Sequence, residues 1–354
     1  VGRQVNEGWR AARWPRDDAG AERLLVVDPR AGRFAHARVR DLSASLRPGD
    51  VVVVNDAATL PASLRGRTAR GEAVELRLAA RREDGAWTAL LFGDGDWRTR
   101  TEDRPKPPPI APGDELRFDG VACRVVTVAG PSRRVAVVRF DRAGAALWSA
   151  LYRAGRPVQY AHVEGDLALW HVQTPFAARP WAAEMPSAGR PLAWSLLLGL
   201  ARRGVRLAHV THAAGLSSSG DPAIDAMLPM AERYDVPRST VSAIREARAS
   251  GGRVLAVGTT AVRALEGAAA SHGGELVEGE GETSLLVGPG SCLRVADGIL
   301  TGMHDATASH FALLQAFAPA PLLGDAYAAA AEAGYLAHEF GDSTLILPDA
   351  LASR

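Results

Sequence analysis

Cysteine is nearly absent: Cys123 and Cys292 are the only two in 354 residues. They stand far apart and outside any CxxC spacing, which excludes a disulfide framework, a zinc knuckle and a dithiol redox centre, and makes a reducing cytoplasm the expected setting. Lysine is scarcer still, since Lys106 is the only one and the other basic residues are arginines. A guanidinium stays protonated and forms no Schiff base, so lysine-based covalent catalysis is excluded. Net charge is almost missing as well. At a formal +1 the chain has no global attraction for a polyanion, and any nucleic-acid contact must come from a local patch. Long apolar runs are lacking too. No stretch of signal-peptide length stands near the start, and the apolar segment Leu192–Leu200 is too short to span a bilayer, so no membrane partner is expected.

What is present is an ordinary globular composition, 47% apolar and 23% charged, in a chain long enough for about two domains. Strands are expected at Leu24–Asp28 and Val51–Asn55, the second after the turn Arg47-Pro48-Gly49-Asp50. The unbroken valines Val51–Val54 suit a strand covered on both faces. Between Arg65 and Asp141 the texture changes to five short β-rich runs, Val74–Leu78, Trp87–Phe92, Glu115–Phe118, Val121–Val128 and Val135–Phe140, with no helix between them. Such a series reads as an inserted barrel or sandwich. The stretch Arg104-Pro105-Lys106-Pro107-Pro108-Pro109 reads as a stiff surface loop.

After Gly144 helix and strand alternate: a helix near Pro191–Arg203, strand Val205–Val210, helix Arg238–Ser250, strand Val254–Val257, a helix from about Thr260, helices at Ser309–Phe317 and Asp325–Ala333, and a last strand Thr344–Leu347. The expected fold is α/β, a mainly parallel sheet with helices on both faces. Residues 1–64 and 145–354 would form this main domain, and 65–144 the inserted all-β barrel.

Three features carry candidate chemistry. The first is Val254–Val257 running through Gly258 into Thr259-Thr260 and Arg263, a buried strand opening into a helix. In an open α/β sheet ligands bind at the carboxyl ends of strands, where a helix N-terminus offers free N–H groups, although an ordinary N-cap reads the same way. The second is a pair of acids near strand ends, Asp56 after Asn55 and Asp342 after Gly341. Such acids grip ribose hydroxyls or bond their own turns. The third is the histidines His212 and His304, each just past an apolar run, able to accept a proton near neutrality or to serve only the structure. No histidine or acid cluster has metal-site spacing, so no metal is expected.

The order and wording of these blocks resemble one family along nearly the whole chain, the S-adenosylmethionine:tRNA ribosyltransferase-isomerases of queuosine biosynthesis. The resemblance rests on Leu46-Arg47-Pro48-Gly49-Asp50, Asn55-Asp56, Leu60-Pro61-Ala62, Val74-Glu75-Leu76, Gln173-Thr174, Pro186-Ser187-Ala188-Gly189, Glu232 with Tyr234, Gly252–Val257 continuing through Gly258-Thr259-Thr260-Ala261-Val262-Arg263 to Glu266, Pro289-Gly290, His304, Ala316-Phe317 and Phe340-Gly341-Asp342. It implies an α/β body with an inserted β-barrel and S-adenosylmethionine as co-substrate, with no metal. It also implies transfer and isomerisation of the ribosyl unit onto a 7-deazaguanine base of tRNA. On that footing His304, Asp342 and Glu232 are the candidates for proton transfer and ribose contact. Asn55, Asp56, Ser187, Gly189, His212, Gly258, Thr259, Thr260 and Arg263 are the candidates for holding substrate.

The chain also departs from the family. Asn55-Asp56-Ala57-Ala58 lacks a threonine and an arginine found there, Ser187-Ala188-Gly189-Arg190-Pro191 and Pro229-Met230-Ala231-Glu232 each lack a histidine, and Gly302-Met303-His304-Asp305-Ala306 and Ala213–Ser219 are rewritten. A site built around a polar group loses about 1–3 kcal/mol for each partner left unpaired, so these changes bear on the acceptor. The segment 65–144 carries 16 basic and 12 acidic residues, a weak footprint for tRNA. A second expectation is therefore a paralogue that cleaves or transfers the same ribosyl unit with a small nucleoside-like acceptor or none.

Overall fold

The computed structural model describes residues 9–130, 132–226, 230–304 and 309–351; Pro229, Asp305 and Ala306 of the rewritten segments lie outside them. The chain begins with β1 (Arg23–Asp28), β2 (Arg33–Arg38), β3 (Val51–Asn55) and the short β4 (Ala57–Thr59). The barrel strands follow: β5 (Ser63–Thr68), β6 (Ala73–Arg81), β7 (Trp87–Phe92), β8 (Glu115–Phe118), β9 (Val121–Ala129) and β10 (Val135–Phe140). Then come α1 (Gly144–Ala154), β11 (Arg179–Ala182), α2 (Trp194–Arg202), β12 (Arg206–His212), the one-turn α3 (Pro222–Asp225), β13 (Glu232–Val236), α4 (Arg238–Ala249), β14 (Val254–Val257) and α5 (Thr259–Ser271). The remainder is β15 (Gly279–Thr283), β16 (Gly298–Gly302), α6 (Ser309–Leu314), α7 (Ala320–Glu332) and β17 (Ser343–Ile346).

Nine strands form the main sheet in the order β15-β13-β12-β3-β14-β16-β17-β1-β2. The valine run sits near its centre, flanked by β12 and β14 in parallel. Because side chains alternate along a strand, Val51 and Val53 join the core under α4, α5 and α7, while Val52 and Val54 join the core under α2 and the 3-10 turn Val39–Ala44. Helices thus cover both faces, as the valines require. At the start of β3 the fully buried Asp50 receives the Arg253 backbone N–H at 2.9 Å and its guanidinium at 2.6 Å, which locks β3 to β14.

Parallel pairing holds from β12 to β16 and between β17 and β1, whereas the flanks and the β16–β17 pair are antiparallel. The β1–β2 connection is too short for a crossover, so that pair has to be a hairpin. The reversal of β17 matters for the site: Gly302 pairs with Ser343, so the start of β17 lies beside the end of β16.

The inserted β-unit closes into a six-stranded antiparallel barrel, β10-β7-β6-β5-β8-β9. Five of its strands are visible as β-rich runs; the sixth, β5, is hidden in Ser63-Leu64-Arg65-Gly66-Arg67-Thr68, where Leu64 is the only large apolar residue. Gly66 permits the close approach there, since a Cβ would meet the Arg117 carbonyl oxygen at 2.1 Å. Helix α1 seals the barrel core with Leu147 and Leu151. Among the described residues no helix is long and apolar enough to cross a membrane.

Candidate functional site

The carboxyl ends of β3, β14 and β16 meet at one edge of the sheet, and a cavity of about 880 Å³ opens there, with the barrel loop Arg100–Glu102 also in its lining. The chain leaves β14 through Gly258, whose φ of +88° is open to glycine at little cost, and whose N–H donates to the Leu300 carbonyl at 2.7 Å. Helix α5 starts at once. No side chain caps it, and its first residues Thr259 and Thr260 line the cavity. The uncapped N–H groups and the helix dipole make this wall favourable for a carboxylate or for ribose oxygens.

Asn55 holds the edge together from behind. Its Nδ2 donates to the Thr260 hydroxyl at 3.1 Å and to the His212 carbonyl at 3.1 Å, and its Oδ1 accepts from His212 N at 2.9 Å and Ala57 N at 3.1 Å. A side chain that makes all these bonds while buried sets positions and has little left for a ligand. Asp56 is similarly engaged: it accepts from the Thr211 hydroxyl at 2.5 Å, lies 3.8 Å from His209 Nε2, and does not line the cavity.

Glu232, at the start of β13, faces the cavity beside Arg263 of α5. The two form a buried ion pair, and Gly215 N donates to the other carboxylate oxygen at 2.8 Å. Burial raises the Glu232 carboxyl above its ordinary range, against the pull of Arg263. Arg263 also donates to the Leu285 carbonyl at 3.2 Å, and its Nη2 is buried without a hydrogen-bond partner. His212 lies behind them, fully buried, its Nε2 3.5 Å from Glu232 Oε2 and neither ring nitrogen hydrogen-bonded. Burial and the nearby Arg263 charge push its pKa down to about 3, so the ring is neutral.

His304 follows β16 and lines the same cavity. Its Nε2 lies 2.8 Å from the Thr301 hydroxyl, and its backbone bonds the Tyr327 hydroxyl. Burial, with His310 and His338 nearby, pushes its pKa down to about 3. The imidazole is therefore unprotonated at neutrality, held in one orientation, and open to the cavity.

The structure thus brings together His304, Glu232, Arg263, Ser187, Gly258, Thr259 and Thr260 around one space. Asn55, Asp56, Gly189, His212 and Asp342 stand outside that lining. Gly189 is needed where a Cβ would meet Phe176 at 2.6 Å, a packing role. Asp342 was expected to touch substrate, but its carboxylate is occupied: Oδ1 accepts from Arg16 at 2.6 Å and from Arg23 N at 2.8 Å, and Oδ2 from Leu336 N at 2.8 Å. Other polar cavity residues escape the sequence reading, among them His162, His310, His338, Glu339, Tyr160 and Glu184. His310 sits within a helix and His162 in a loop, and Tyr160 bonds Glu184 from another segment in a half-buried pair, so none of them stands at a strand end.

A family model described as "Queuosine biosynthesis protein" matches residues 8–346. The S-adenosylmethionine:tRNA ribosyltransferase-isomerase of Anaeromyxobacter dehalogenans is 37% identical over 342 residues, 94% of this chain and 93% of that relative. The protein of the same name from Acidithiobacillus ferrooxidans is 36% identical over 348 residues, 96% of this chain and 95% of that one. Among solved structures, the S-adenosylmethionine tRNA ribosyltransferase of Thermotoga maritima superposes with a TM-score of 0.54 at 25% identity, covering 98% of this chain and 100% of that one.

Proposed function

Since the chain belongs to the queuosine biosynthesis protein family, we propose that it transfers and isomerises the ribosyl unit of S-adenosylmethionine onto a 7-deazaguanine base in tRNA, releasing adenine and methionine. The observation that carries this reading is that a neutral histidine, His304, and an uncapped helix start, Thr259-Thr260, line one cavity.

A sulfonium makes the hydrogens on the neighbouring ribose C5′ acidic, so a modest base starts the reaction. A histidine held near pKa 3 is a weak base in the empty site, because protonating it creates a buried charge. Taking the proton from C5′ creates none: the positive charge moves from the sulfonium nucleotide to the imidazole, and a neutral ylide remains beside it. In the tautomer whose Nε2–H donates to the Thr301 hydroxyl, Nδ1 is the accepting atom; this reading requires that tautomer. The start of α5 and the unpartnered Arg263 Nη2 take the methionine carboxylate, and Glu232 holds Arg263 in place. Asn55 and Asp342 act as positioning residues behind this wall. At about 880 Å³ the cavity is at the upper end of the usual 300–1,000 Å³ for ligand sites, which leaves room for an acceptor base beside the nucleotide.

A second reading, a small nucleoside-like acceptor or none, draws support from Arg190-Pro191, where the family carries a histidine. Arg190 turns from the cavity to pair with Glu22. Adenine release separates the readings. The tRNA reading expects release from S-adenosylmethionine only with tRNA bearing the 7-aminomethyl-7-deazaguanine base; release with S-adenosylmethionine alone supports the second, and silence in both sinks the two together.

A further inference from the structure

In the lining of the same cavity His162, His338 and Glu339 come together, with one donor atom of each lying within 4.8 Å of the others. We infer that these three side chains bind a divalent transition metal ion of the zinc or iron(II) class, leaving its remaining positions open to the cavity.

The donor set has the right chemistry. Two imidazoles and one carboxylate are the ligands of open zinc sites and of facial iron(II) sites, and both keep free positions for water or substrate. The spacing is also suitable. His162 Nε2 and Glu339 Oε2 share a hydrogen bond of 3.0 Å, whose proton an ion would replace; two ligands each about 2.1 Å from one ion are separated by about 3.0 Å at a right angle and about 3.4 Å at the tetrahedral angle. The His162 and His338 rings are stacked, 4.4 Å apart and 24° from parallel, so a turn of one ring is what brings a nitrogen of each onto one ion.

The backbone adds an independent observation. His338 has φ of +70°, a left-handed conformation uncommon for a residue with a side chain, and it sits on the rim of a cavity. The turn that imposes it is firmly built: Gly341 N donates to His338 O at 2.9 Å, Asp342 N to Leu336 O at 2.8 Å, and the Asp342 carboxylate takes Leu336 N at 2.8 Å. A Cβ on Gly341 would meet the Leu336 carbonyl at 2.4 Å, so glycine closes the turn. The occupied carboxylate of Asp342 thereby presents His338 and Glu339 together. Sequence spacing hides the group, because His162 lies 177 residues before Glu339.

The site goes beyond the proposed reaction and is tested without it. Untagged, chelator-treated protein is titrated with CoCl2 and with ZnCl2, followed by visible absorption and calorimetry. The inference expects one ion per chain, cobalt bands without thiolate charge transfer, and affinity weakened at least about 100-fold in His162→Ala and Glu339→Gln, beyond the effect of losing an outer partner. Cys292→Ser, an exposed cysteine, should bind as the wild type does. Thermal melts check that the variants fold. If they do not, proton NMR of the wild-type cobalt protein decides: hyperfine-shifted N–H signals from two imidazoles support the site, and their absence overturns it. No saturable binding, or binding unchanged in both variants, also overturns it.

Discussion

The Asn55 side chain donates to the Thr260 hydroxyl at 3.1 Å, joining the end of the central valine strand to the first turn of α5. The same amide group takes both backbone partners of His212, so one residue fixes three of the segments around the cavity. Asn55→Ala should leave several buried groups unpaired, lowering stability by about 2–4 kcal/mol and raising KM for S-adenosylmethionine more than it lowers kcat. Urea unfolding and steady-state kinetics check this; an unchanged midpoint would remove Asn55 from its positioning role.

The Arg263–Glu232 pair is buried, so removing one partner strands the other. Arg263→Gln is expected to cost about 3–5 kcal/mol. Adding Glu232→Gln should recover part of that stability while leaving activity low, because the carboxylate-binding guanidinium is still missing. A double-mutant cycle by urea unfolding reads the coupling, and strict additivity would mean that the pair does not operate as a unit.

His212 sets a pH dependence. Its folded pKa, about 3, lies below the unfolded value of 6.5. Below about pH 6.5 the unfolded chain takes up a proton that the folded chain refuses, so the stability held above that pH is lost progressively as pH falls toward 3, at up to about 1.4 kcal/mol per pH unit. Glu22, raised to about 7 by burial, acts in the opposite sense, and the signal therefore lies in the difference between wild type and His212→Gln. Unfolding free energies between pH 5 and 7 should fall more steeply for the wild type; parallel curves would mean that the ring is not buried neutral.

Asp342→Ala should behave as a fold variant before a catalytic one. Loss of its bonds to Arg16, Arg23 and Leu336 is expected to lower stability by about 3 kcal/mol and to loosen the turn carrying His338 and Glu339. Differential unfolding measures the first effect. Full stability with abolished turnover would instead return Asp342 to the reaction itself.

Much of this was legible in the residues. Val51–Val54 announce a strand covered on both faces, and the glycine before Thr259-Thr260 announces a helix opening at a sheet edge; both are local patterns, and local patterns survive folding. The hairpin β1–β2, the polar strands β13 and β15, and β5 with its single large apolar residue were not legible, because their partners rather than their own side chains make them strands. At the site, Gly258, Thr259, Thr260 and His304 could be placed from strand ends. The saturation of Asp342 could not, since its partners come from segments as far off as Arg16. Nor could His162 and Glu339 be paired, for the same reason of distance along the chain.

The proposed reaction requires a neutral His304 where the C5′ proton of a bound sulfonium nucleotide arrives. A crystal structure with S-adenosylmethionine tests this most directly. The prediction is the methionine carboxylate at the start of α5 and C5′ within about 3–3.5 Å of the His304 ring. A nucleotide bound with C5′ turned away from His304, or bound elsewhere while this cavity stays empty, would contradict it.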